Sequence, residues 1–319
     1  MRIHVLALNG VFDTGLATVL DAFGVANTLA EMTGVSSLRF ETKVVGLRKT
    51  TTTAQGLGVV VSPAAKEDTP DVVVMPAINR IQPDLLTEAL GGAEVRDAVT
   101  MLRKWSEGGA LLSAACVGTF VLAETGLLDG EEATTNWWLA PMFRQRYPRV
   151  KLDETRLIVP SNRVVTAGAA LSHLDLALTL IRRVSPELAG LTAKYLVADS
   201  RSSQAVYTIY DHVVHADPLV RKFERWARER LAAGFSLDEA AAALATSKRT
   251  LARRMQTVLG KSPLAYFQDL RIEHAVHLLE TSQASVDQIA AEVGYAEGVT
   301  LRVLLRKKLG RGVREIRGS

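Results

Sequence analysis

A single cysteine in 319 residues, Cys116, leaves no partner for an internal disulfide and excludes a multi-cysteine zinc site. Uninterrupted apolar runs of ~18 residues, the length a membrane-crossing helix needs, are missing as well. The N-terminal MRIHVLALNGVFD has only a few consecutive apolar residues and lacks the layout of a secretory leader. Metal-ligand sets are equally scarce. His212/His215 and His274/His277 have i, i+3 spacing, but no further Cys, His or carboxylate completes a recognisable set, so they read as linker and helix-face residues. Gly56 and Gly58 lack the context of a dinucleotide fingerprint. The expectation is a soluble, cytoplasmic chain with no metal, no cofactor and no membrane partner.

What is present is an ordinary globular balance, 48% hydrophobic and 23% charged, in a chain long enough for two domains. Positive charge is not spread evenly. Residues 1–215 carry 20 Lys/Arg against 22 Asp/Glu, whereas residues 216–319 carry 18 against 12. The whole basic excess lies in the last third, as a segment that touches a polyanion requires. The alternative for that excess is a solvated basic face.

The two parts also differ in period. Ile3–Leu8, Arg39–Gly46, Asp71–Ala77, Ala110–Ala115 and Arg163–Ala167 are short, apolar and bounded by Gly, Pro or Asp, and read as buried strands. Between and after them lie the helix-period segments Leu16–Met32, Glu94–Glu107, Gly118–Thr125, His173–Val184 and Pro186–Leu196. The alternation predicts an α/β doubly wound, flavodoxin-like domain over residues 1–199. A polar segment, 200–216, serves as linker. Beyond it, over 217–319, only helical periods remain, which predicts an all-α domain.

That domain repeats itself. Ser236–Gly260 can be laid on Ser285–Gly310: Ser236 matches Ser285, Asp238 matches Asp287, Ala241 matches Ala290 and, after one extra residue in the turn, Leu251 matches Leu301. Each copy starts with an N-capping serine and an acid in the first turn. A small-residue helix, a tight turn and a second helix with Arg or Lys between its core positions follow. This is a helix-turn-helix, repeated, and its second helix can enter the major groove.

On SKRTLARRMQTVLGKSPLAYFQDLRIEHAVHLL and SVDQIAAEVGYAEGVTLR, the last ~100 residues resemble the DNA-binding domain of the AraC/XylS family of transcription regulators. The resemblance implies double-stranded DNA as partner. Its base-contact positions fall on Arg249, Ala252 and Arg253 in the first recognition helix, and on Gly298, Val299, Arg302 and Val303 in the second. The DNA-binding set is therefore Ser247, Lys248, Arg249, Thr250 and Arg253, with Thr300, Arg302, Arg306 and Lys307. Lys308 is a further candidate for phosphate. The second half departs from the family: Val303 stands where an arginine is usual, Leu301 and Leu305 replace aromatics, and the terminal G-x-S-P reads GRGV, Gly310–Val313.

Cys116 follows a strand and precedes an apolar helix, a turn that exposes a side chain above the sheet edge at a helix N-terminus. A cysteine there can be a partly ionised nucleophile facing a pocket; the alternative is a small buried core residue. On SAACVGTFVLAETGLLDGEEATTNWW and TAGAALSHLDLALTLI, residues 3–185 resemble the PfpI-like branch of the class I glutamine-amidotransferase superfamily, which includes isonitrile hydratases and intracellular proteases. The elbow cysteine is kept, but the rest of the catalytic set is not. Val117 stands where the proteases have histidine, the hydratase acid falls near Gly15 with Asp13 the nearest carboxylate, and Asn136 replaces the histidine of TTHW. These departures from the family's set imply no enzyme, and in its place a ligand pocket at Asp13, Cys116, Val117 and Asn136.

Joined in this order, the two parts are similar to the GlxA subfamily of regulators. The resemblance implies a sequence-specific transcriptional regulator, a homodimer through its N-terminal domain, an RNA polymerase contact and a small-molecule effector. Two alternatives remain open at this point: a cysteine-dependent hydratase or hydrolase fused to a DNA-binding domain, and a sequence-indifferent DNA binder.

Overall fold

The structure is a computed structural model and describes residues 1–198, 203–204 and 217–317. The expected linker 200–216, apart from Ser203 and Gln204, lies outside the described residues, as do His212 and His215. By internal contacts the chain divides into two compact units, Met1–Leu139 with Tyr147–Gln204, and Ala140–Arg146 with Ala205–Ser319.

The first unit is built on a seven-stranded sheet in the order Ile158–Ser161, Val164–Ala167, Leu111–Ala115, Val72–Met75, Arg2–Ala7, Glu41–Gly46, Ser62–Pro63. Neighbours run parallel except the first pair, which is antiparallel. Val72–Met75 and Val164–Ala167 are buried at every position, as strands covered on both faces must be. Side-chain alternation sorts the first strand between two layers. Ile3, Val5 and Ala7 join the core made by helices Asp13–Thr33, Ser172–Val184 and Pro186–Tyr195. His4 meets Trp105 of helix Ala93–Glu107, ring centroids 5.4 Å apart. The expected doubly wound fold is present. Its antiparallel edge, Ile158–Ser161, carries a proline, which only an edge strand tolerates and which hides it from pattern reading.

The second unit contains the helix-turn-helix pairs Leu237–Ala243 with Lys248–Leu259, and Val286–Glu292 with Gly298–Leu309. Ser236 and Ser285 cap the first helix of each pair, accepting from Glu239 N and Gln288 N. The 19-residue helix Pro263–Thr281 joins the pairs and spans ~28 Å. It serves two small cores. Tyr266, Phe267 and Leu270 pack with Leu251 and Met255, whereas Ile272, Ala275 and Leu279 pack with Ile289, Leu301 and Leu305. Asp269, midway along it, pairs with both Lys261 and Lys308. Burial pushes its carboxyl up, but the two ammonium groups outweigh this and hold it below the usual carboxylate range. Arg271 lies over the Phe267 and Tyr295 rings at 4.8 and 5.2 Å, and its Nε donates to Leu231 O at 2.9 Å. One helix thus fixes the spacing of both recognition helices.

The turns of the two pairs use the same left-handed backbone, at Ala245 (φ 49°) and Gly294 (φ 81°). Glycine adopts this freely, while a Cβ costs on the order of 1 kcal/mol. Ala245→Gly is expected to stabilise the unit by up to about 1 kcal/mol, read as a higher urea midpoint at unchanged m-value.

Candidate nucleic-acid interface and the cysteine turn

Lys248–Leu259 turns Leu251, Met255 and Leu259 inward, because residues three and four apart share a helix face. Arg249 and Arg253 occupy the opposite, exposed side. Ser247 caps the helix, accepting from Thr250 N at 3.0 Å, and its hydroxyl lies 2.8 Å from that of Thr250. Lys248 Nζ pairs with Asp238 at 2.8 Å, and Arg254 with Asp217 at 2.7 Å. Arg249 and Arg253 form no ion pair among the described residues. Their forks are free for guanine edges, which bidentate geometry suits.

The second recognition helix, Gly298–Leu309, buries Leu301 and Leu305 and exposes Val299, Thr300, Arg302, Val303, Arg306 and Lys307. Two expectations need correcting. Gly298 is buried and cannot read a base: its N–H donates to Asp287 Oδ1 at 3.0 Å, and a Cβ there would lie 2.4 Å from that oxygen. Lys308 is not free for phosphate, since it is half-buried against Asp269. The acids Asp238 and Asp287, matched in the repeat and read from sequence as first-turn charges, each reach across to the start of a recognition helix.

In the first unit, Cys116 sits between strand Leu111–Ala115 and helix Gly118–Ala123 in the left-handed region, φ 55°, which a cysteine seldom adopts. Its backbone is held on both sides. Cys116 N donates to Ala167 O at 3.0 Å, and Thr135 Oγ1 donates to Cys116 O at 2.7 Å. Gly118 lets the helix press against the end of the neighbouring strand Val72–Met75, where a Cβ would come within 2.4 Å of Met75 O. The elbow expected from the sequence is therefore built.

Its thiol is not exposed or ionised as its position suggested. Cys116 is 4% exposed, and burial pushes the thiol up to about 11, against the opposing effects of the Asn136 amide and the Val117 backbone. Asn136 Nδ2 lies 3.4 Å from the sulfur while its Oδ1 accepts from Leu139 N, so both ends of the amide are used. Val117 is buried, and Asp13 Oδ2 accepts from Gln55 N at 3.2 Å. Alkylation of the native protein is expected to be slow and stoichiometric at pH 7.5. Its rate should climb steadily with pH toward 11, without a plateau near neutrality. A fast plateau at pH 7.5 would contradict a buried, protonated thiol.

Two residues overlooked in the sequence complete this region. His173 is fully buried, its Nε2 accepting from Ala77 N at 3.1 Å and its Nδ1 hydrogen-bonded to Ala170 O. Its ring packs on Gly15, where a Cβ would lie 2.7 Å from Nε2, so the place to which the hydratase acid maps is filled by imidazole. Burial lowers its pKa to about 4, against the raising effect of Ala170 O. Because the unfolded ring protonates near 6.5 and the folded ring near 4, the stability it confers is complete above pH 6.5 and is lost toward pH 4. Unfolding by urea at several pH values should give a wild-type slope up to ~1.4 kcal/mol per unit steeper than that of His173→Gln in this window. Equal slopes would contradict the assignment. Gln204, 1% exposed, is the second: its Nε2 donates to Thr135 O at 2.8 Å and its Oε1 accepts from Ala169 N at 2.9 Å. A histidine opening an apolar helix was a visible signal; an isolated glutamine in a polar segment gave none.

Trp137 and Trp138 meet edge to face at 5.4 Å, with Trp137 buried. His274 and His277 lie side by side on the joining helix, His274 3.8 Å from Glu292. Among the described residues there is no group of three or more metal-ligating side chains, and no helix is long and apolar enough to cross a membrane.

Comparison with known proteins places both units. Residues 1–183 match the DJ-1/PfpI family, and residues 240–319 match a helix-turn-helix domain. The HTH-type transcriptional regulator GbdR of Pseudomonas aeruginosa is 28% identical over 204 residues, 63% of this chain and 55% of GbdR. The HTH-type regulator ArgR of the same species is 26% identical over 222 residues, 68% of this chain and 67% of ArgR. The HTH-type regulator GlxA of Rhizobium meliloti is 28% identical over 220 residues, 64% of each chain. The match thus spans little more than half the length of GbdR. Among solved structures, a candidate transcriptional regulator from Vibrio parahaemolyticus superposes with a TM-score of 0.53 at 20% identity, over 61% of this chain and 98% of that one, a likeness of fold.

Proposed function

Because this chain belongs to the DJ-1/PfpI family and continues into a helix-turn-helix domain, we propose that it is a sequence-specific DNA-binding transcriptional regulator whose first unit senses a small molecule and is not an enzyme. The carrying observation is the pair of exposed recognition helices, with Arg249 and Arg253 free of ion pairs among the described residues. The reading includes a homodimer, a cytoplasmic location and a contact with RNA polymerase.

The cysteine turn supports a retired active site. A nucleophile there needs a thiolate and a base to form it, but the thiol is protonated and the amide at the sulfur cannot act as a base at neutral pH. What the turn offers instead is a strained, closely hydrogen-bonded element, with Cys116 at φ 55° and its backbone tied to Ala167 and Thr135. A ligand that binds one arrangement of a protein more tightly than another shifts the equilibrium by its difference in affinity. The bonds from Thr135 to Cys116 O and from Gln204 to Thr135 O tie the turn to Gln204, which lies next in sequence to the segment preceding the reading domain.

Cys116→Ser tests the reading. Basal DNA affinity should stay within about twofold of wild type, since this change removes no group that touches DNA, and purified wild-type protein should turn over no isonitrile, amide or peptide. Turnover that disappears in Cys116→Ser would favour the cysteine-dependent enzyme instead.

A further inference from the structure

We propose that the second recognition helix reads thymine, through van der Waals contact of Val299 and Val303 with the C5-methyl group. The inference rests on the DNA-binding reading above and specifies what that helix recognises. Val299 and Val303 are 59% and 61% exposed, four residues apart on one face of a helix whose core-facing positions are already filled by Leu301 and Leu305. Both side chains keep more than half of their surface in water, and neither belongs to the core formed around Leu301 and Leu305. Cations flank Val303 and continue toward the helix C-terminus. Arg302, Arg306 and Lys307 are exposed, and the groove next to Val303 is lined by Arg302, Arg306, Val313 and Arg314, with Glu315 as its acidic member. An apolar strip beside cations is complementary to a major groove, whose walls are phosphate and whose floor offers one apolar group, the thymine methyl.

The same face lacks what the first helix has. Arg249 and Arg253 can take guanine O6 and N7 bidentately, whereas valine neither donates nor accepts and cannot select among hydrogen-bonding edges. The two halves therefore differ in kind: one reads by hydrogen bonds, the other by shape and methyl contact.

Deoxyuridine tests this directly, since it keeps the pairing and the O4 acceptor of thymidine and lacks only the methyl. Duplexes selected from a random library by the full-length protein are synthesised with deoxyuridine replacing thymidine in one half-site at a time. Replacement under the second helix should weaken binding about threefold to fivefold per contacted methyl, from the transfer energy of one such group. The effect should vanish in Val299→Ala/Val303→Ala, whose salt dependence should match wild type because no cation is removed. The same replacement under the first helix should change affinity less. Equal binding of both duplexes by wild type would overturn the inference and leave the valines to a protein partner. Failure to select any preferred sequence would instead overturn the DNA-reading proposal beneath it.

Discussion

Raising the salt from ~50 to ~200 mM is expected to weaken binding of the full chain to its preferred duplex on the order of a thousandfold or more. The expectation follows from where the cations are. The last 104 residues carry 18 Lys/Arg against 12 Asp/Glu, while residues 1–215 carry 20 against 22. With roughly 6–8 phosphate contacts, each displacing condensed counterions, log K should fall with log[salt] at a slope of roughly −5 to −7. The structure refines which groups contribute. Arg254 and Lys308 are engaged with Asp217 and Asp269, and Lys248 must first leave Asp238, so Arg302, Arg306, Lys307 and the backbone at helix N-termini carry more of the load. Lys307→Ala should lower the slope by about 1 and weaken all sequences alike. A shallow slope, near −1 to −2, would mean that the basic excess is a solvated surface.

Replacing Arg249 or Arg253 by alanine is expected to cost ~1–3 kcal/mol each, about 5- to 150-fold, and to relax preference at particular base pairs. Both side chains are exposed and leave the core of Leu251, Met255 and Leu259 untouched, so circular dichroism and the urea midpoint should stay near wild type. The signature differs from that of Lys307→Ala. Removing a cation from a phosphate weakens every sequence, whereas removing a fork from guanine narrows the gap between the preferred site and random DNA. If both arginine variants weakened all sequences equally, these side chains would be holding phosphate, and the stricter reading would have to come from the second helix.

Periodicity made most of the architecture legible. The buried runs around Val5, Val73, Leu112 and Val165, alternating with helix-period segments, pointed to a covered parallel sheet, and the serine-capped repeat of 236–260 and 285–310 to two similar helix pairs. What stayed hidden was set by neighbours remote in the chain. The position of Cys116 predicted an elbow, which is present. Its ionisation, however, depends on burial beneath residues that sequence spacing does not bring together, and the thiol is protonated. Gly15 read as a missing acid; only packing reveals that His173 fills the space. Lys308 read as a phosphate ligand because Asp269, on another helix, is invisible at that distance in sequence. Gly298 read as a base contact because its partner is the carboxylate of Asp287, eleven residues away across a turn.

The central claim is that this chain recognises particular DNA sequences through Arg249, Arg253 and the second helix. It is tested most directly by recovering fragments of the source genome on the full-length protein at moderate salt and sequencing them. The account predicts enrichment of a two-part site whose halves lie about one helical turn, ~34 Å, apart, with guanine in one half and thymine in the other, and disappearance of that enrichment in Arg249→Ala/Arg253→Ala. Uniform recovery of the genome, unchanged by that double substitution, would contradict it.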